Sequence, residues 1–70
     1  MKAQIKEAIR KHVEKNFPKK SDSEKNNLVQ SYCSRVLEIK DNKISILQSR
    51  GFFLIDMEGN FVEGEGAYCD

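Results

Sequence analysis

Val36-Leu37-Glu38-Ile39-Lys40-Asp41-Asn42-Lys43-Ile44-Ser45-Ile46 decides the fold. Read as helix, Val36 and Leu37 prolong an upstream stripe made of Leu28, Val29, Tyr32 and Cys33. Read as strand, Leu37 and Ile39 alternate with Glu38 and Lys40, and Asp41-Asn42 has the residue types of a two-residue hairpin turn. That turn sets Ile39 opposite Ile44 and Leu37 opposite Ile46, so apolar residues match across the pair. It also sets Lys40 against Lys43. Two apolar matches against one like-charge pair favour the strand.

Upstream, the pattern is helical. Ile5, Ala8, Ile9, His12, Val13 and Phe17 recur at three- and four-residue intervals, which predicts an amphipathic helix over residues 1–17. Pro18 stops it, because proline disfavours helical geometry in the residue before it. Ser21 and Glu24 have the spacing of a capping box and start a second helix. Downstream, Lys43 to Gln48 alternates, Ser49-Arg50-Gly51 reads as a turn, and Phe52 to Met57 as a central strand covered on one side by helices. Glu58-Gly59-Asn60 is a second turn, Phe61-Val62 opens a last short strand, and Gly64 and Gly66 belong to a loosely held tail. The expected fold is α+β: residues 1–70 as one small domain, two N-terminal helices packed on one face of a C-terminal antiparallel β-meander of three to four strands.

At 70 residues the chain lies near the lower limit for unaided folding and has no room for a separate cofactor domain. Twelve basic and eleven acidic side chains leave a net charge of +1. Bulk polyelectrolyte binding is therefore excluded as an expectation. The distribution says more. Residues 1–20 hold seven basic and two acidic side chains (+5), residues 21–40 three of each, and residues 41–70 two basic and six acidic (−4). Lys2, Lys6, Arg10, Lys11, Lys15, Lys19 and Lys20 are thus candidates to contact a phosphate or an acidic partner. The plainer reading is a solvated helix face attracted to the acidic tail of the same molecule.

Other motifs favour plain readings. Arg50, Gly51, Phe52 and Ile55 fit the RNP1 pattern of RNA-recognition domains, in which strand aromatics stack on bases. Phe53 and Leu54 depart from it, and so does the order of elements, so these aromatics read as core. His12, on an apolar stripe and without a ligand close in sequence, reads as a histidine flanking the core. The two cysteines, Cys33 and Cys69, cannot form a disulfide framework and read as reduced thiols. Asp56 to Asn60 lacks the spacing of a calcium loop. No metal, cofactor or catalytic constellation is expected, and no membrane segment.

The expectation is a small cytoplasmic regulatory or inhibitory protein, in the style of phage or plasmid regulators, that binds another protein without catalysis. Phe61 and Tyr68 are its candidate apolar anchors, with one face of Phe52-Phe53 as a third. The alternative is a nucleic-acid-binding module using the basic first helix. Homodimerisation through an edge strand at Phe61 to Glu63 is compatible with either.

Overall fold

A computed structural model describes residues 2–49 and 51–64. Helix α1 spans Ala3–Asn16 and α2 spans Asp22–Cys33. Four strands follow: β1 (Val36–Lys40), β2 (Lys43–Gln48), β3 (Gly51–Asp56) and β4 (Phe61–Gly64). They form one antiparallel sheet in the order β1-β2-β3-β4. This is the α+β layout that the apolar periodicities predict.

Local chemistry accounts for the boundaries. The α1 stripe is buried throughout, from Ile5 to Phe17. At Phe17 the backbone leaves helical geometry (φ −132°, ψ 55°), as Pro18 requires. Ser21 caps α2 reciprocally: its hydroxyl accepts from the Glu24 amide at 3.2 Å, and its own amide donates to the Glu24 carboxylate at 3.3 Å. These hydrogen bonds hold the Glu24 carboxyl below the usual glutamate range. Helix α2 ends at Cys33, so residues 36–40 join the sheet.

Asp41 and Asn42 both take positive φ (55° and 60°), the backbone of a two-residue hairpin whose twist suits the flanking strands. Ile39 pairs with Ile44 and Lys40 with Lys43, as expected. The expected match of Leu37 with Ile46 does not occur. The register shifts at Leu37, and Val36 takes that place. The bulge inserts one unpaired residue, which leaves Leu37 exposed and brings Val36 against the core.

Along β2 and β3, Ile44, Ile46, Phe53 and Ile55 point to the helices and are completely buried. Val29 and Tyr32 of α2 complete that core with the α1 stripe. Cys33 is half-buried against it; Cys69 lies outside the described residues. Gly64 belongs to β4, opposite Phe53, and not to a loose tail. Gly66 lies outside the described residues.

The β3–β4 turn approaches α1 at Gly59. Its φ is +84°, and a Cβ there would lie 2.5 Å from the His12 amide nitrogen and 2.8 Å from the Lys11 carbonyl carbon. Both obstacles are backbone and cannot swing away. Gly59→Ala combines left-handed strain with overpacking and should lower the unfolding free energy by about 3 kcal/mol. Urea denaturation checks this; a loss below about 1 kcal/mol would mean that the turn is free to shift away from α1.

Candidate functional site: the uncovered sheet face

The seven basic residues do not form one patch. Arg10 points to α2 and donates to Asn26 Oδ1 at 3.3 Å. Lys11 and Lys15 point to the β3–β4 turn. Lys11 pairs with the Glu58 carboxylate at 3.4 Å, while Lys15 donates to the Glu58 carbonyl at 3.0 Å and to Asn60 Oδ1 at 2.6 Å. Lys20 sits 5.9 Å from the Phe17 ring centre. Lys2 and Lys6 are exposed at the start of α1, and Lys19 is exposed in the interhelical linker. Part of the basic first third therefore meets the acidic last third within the fold.

The turn that receives these lysines is built by Asp56. Its carboxylate accepts from the Glu58 and Asn60 amides, both at 2.9 Å, and from the Asn60 side chain at 3.2 Å. The Asn60 bond leads in holding the Asp56 carboxyl below the usual aspartate range. His12 fastens α1 to the same turn. Its Nδ1 lies 3.1 Å from the Gly59 carbonyl, which can only accept, so Nδ1 carries the proton and donates. Nε2 is then a buried acceptor with no partner among the described residues. The ring packs between Phe53 (5.3 Å) and Tyr32 (6.0 Å).

Among the described residues no helix lies on the other face of the sheet. The register puts Lys40, Lys43 and Asp56 in one cross-strand row, and Glu38, Ser45, Leu54 and Glu63 in the next. Beyond them Leu47 pairs with Phe52, with the bulged Leu37 beside them. Leu37, Leu47 and Phe52 are 54%, 45% and 48% exposed. They form an apolar line across β1, β2 and β3. Ser45 is buried and small, so the middle row sinks into a trough of about 320 Å³, with Glu38 and Glu63 on its flanks and Phe52 and Leu54 in its lining. A smaller hollow of about 240 Å³, between Leu37 and Phe52 over Ser45, continues it.

Compared with protein-family models, curated proteins and solved structures, the chain matches none. Among the described residues no three His, Cys, Asp or Glu side chains converge to hold a metal ion, and no helix is long and apolar enough to cross a membrane.

Of the expected anchors, Phe61 lies opposite Ile55 on the helix side of the sheet and stacks on Phe53 with ring centres 6.5 Å apart. It is 42% exposed, but not on the uncovered face. Tyr68 lies outside the described residues. Phe52 is the anchor that does stand on the uncovered face. The apolar pattern of the sequence does not mark Leu37, Leu47 and Leu54 as surface residues. Period-two alternation splits each strand into two faces without telling which face the helices take. A sheet with both faces apolar in β3 and only two helices to cover it was the signal available.

The His12 clasp has a pH signature. Burial lowers the His12 pKa below its ordinary value of 6.5, the Gly59 bond opposes this, and nearby Lys15 adds to it. The unfolded chain thus takes up the proton first as pH falls. The stability due to neutral His12 is complete above about pH 6.5 and is lost as pH drops from there toward the folded value. Thermal midpoints should fall between pH 7 and pH 5, with a flatter slope in His12→Gln. An equal slope in both proteins would assign the effect to other groups.

Proposed function

We propose that the chain is a protein-binding module that works without catalysis and uses the uncovered sheet face as its contact surface. A regulatory or inhibitory role follows from binding alone: a domain this small acts by occupying a partner's surface. The observation that carries the reading is the apolar line of Leu37, Leu47 and Phe52, half-exposed on an ordered sheet. Aromatic and aliphatic anchors of this kind supply most of the energy at an interface, while charges at its rim steer and orient.

The charges near that line favour a protein over a nucleic-acid strand. Around the trough Glu38, Asp41 and Glu63 stand against Lys40 and Lys43, so a phosphate backbone laid in it would meet more carboxylates than ammonium groups, with Arg35 beside Leu47 beyond its end. On α1, Lys11 and Lys15 are occupied by the β3–β4 turn.

The Leu47→Lys/Phe52→Asp double variant tests the reading. The two positions face each other across β2 and β3, so the new charges are of opposite sign and the fold should tolerate them. Affinity capture with the intact chain, then titration of the purified captured protein, should show at least tenfold weaker binding by the variant at unchanged thermal midpoint. Equal binding by both proteins would reject the uncovered face. Capture of single-stranded nucleic acid alone, with affinity falling steeply in salt, would reject the protein partner.

A further inference from the structure

The geometry points to one occupant for this face: a single amphipathic helix with basic residues on both flanks of its apolar stripe. This inference rests on the protein-binding reading and deepens it.

Width comes first. Glu38 on β1 and Glu63 on β4 belong to one cross-strand row, with Ser45 and Leu54 between them. At the usual strand spacing the two carboxylate-bearing residues stand about 14 Å apart. A helix with its side chains measures about 10–12 Å across. One helix lying along β2 and β3 therefore fits between the two glutamates, and a pair does not. The small side chain of Ser45 lowers the floor under its axis.

Backbone chemistry excludes an extended segment there. Such a segment could not hydrogen-bond to the face of a sheet, and its amides and carbonyls would be stranded over Phe52 and Leu54. A helix satisfies its backbone internally. Strand addition at the β1 edge is impeded by the bulge at Leu37 and by the charges of Glu38 and Lys40.

Charge then sets the sequence of the occupant. Its apolar stripe runs along β2 and β3 over Leu47, Phe52 and Leu54, with Leu37 beside Glu38 at the β1 flank, and each flank meets a glutamate, so lysine or arginine is required on both sides. Beyond the middle row Lys40 and Lys43 favour an acidic residue at one end. A second copy of the chain does not satisfy this pattern. A two-fold axis centred on the face, whether along or across the strands, places glutamate against glutamate, so neither aligned arrangement of two copies supplies the basic flanks.

The test uses the intact chain as bait for two displayed libraries. One randomises the outer positions of a helical scaffold; the other is made of linear peptides. The expected result is enrichment of the helical library, with apolar residues at i, i+3 or i+4 and i+7 and Lys or Arg on both flanks. Binding of selected clones should weaken at least tenfold with Phe52→Asp, and at least tenfold with Glu38→Lys/Glu63→Lys, whose exposed positions leave the fold intact. Preferential enrichment of linear peptides, acidic flanks, or clones that bind the Phe52→Asp variant equally well would overturn the assignment. Light scattering that shows a dimer lost with Phe52→Asp would assign the face to a second copy instead. Where the helix assignment fails but Leu47→Lys/Phe52→Asp still releases a captured protein, the protein-binding reading stands without it; where neither variant affects any partner, both fall.

Discussion

The contact of α1 with the β3–β4 turn is the tie on which the rest of the molecule depends. His12 donates to the Gly59 carbonyl, Lys15 to the Glu58 carbonyl and to Asn60, and Lys11 pairs with Glu58. These bonds join the first third of the chain to its last. They hold α1 against the end of the sheet. With His12 seated between Phe53 and Tyr32, α1 and α2 lie over Ile44, Ile46, Phe53 and Ile55, and the opposite face is left open. The exposed ion pair adds little by itself. The buried histidine, and a glycine that admits the helix backbone, carry the tie.

The tie changes the meaning of the charge asymmetry. A chain of +5, zero and −4 by segment suggests a molecule with a basic end and an acidic end. Folding brings part of the two together, because the acidic turn of residues 56–60 is where Lys11 and Lys15 of α1 find their partners. Asp56 contributes by accepting amides within the turn, a role set by spacing and not by net charge. The seven basic residues are consequently divided among four neighbourhoods: the turn, α2 through Arg10, the exposed start of α1, and the interhelical linker with Lys19 and Lys20.

Most of the fold was legible because its signals are local. The stripe from Ile5 to Phe17, the stop at Pro18, the Ser21–Glu24 box and the Asp41-Asn42 turn each depend on residues a few positions apart, and each appears where the spacing places it. The bulge at Leu37 was not legible. Strict alternation pairs Leu37 with Ile46, yet the chain leaves α2 through Ser34 and Arg35 with the Arg35 carbonyl already bound to the Leu47 amide at 3.0 Å. That constraint is tertiary and shifts the register by one residue. Phe52 is hard to place from sequence for a related reason: in a strand apolar on both faces, alternation does not tell which half stays uncovered. Phe61 shows the converse, an exposed aromatic whose ring is used in stacking on Phe53.

Size explains why a face is left open at all. A four-stranded sheet has two faces, and covering both takes helices on both sides. The described residues supply two helices, and both lie on one side. A chain under no other demand would make the second face polar, as half-solvated antiparallel sheets commonly do. Here that face alternates instead: a line of leucine and phenylalanine, a row flanked by glutamates, then a row of lysines and aspartate. Solubility asks for the charged rows but gives no reason for the apolar line. The line costs the free protein exposed hydrocarbon and contributes nothing to its core, and a partner that buries it recovers that cost. On the proposed reading the uncovered face is the missing layer of a three-layer sandwich, which a bound protein would complete.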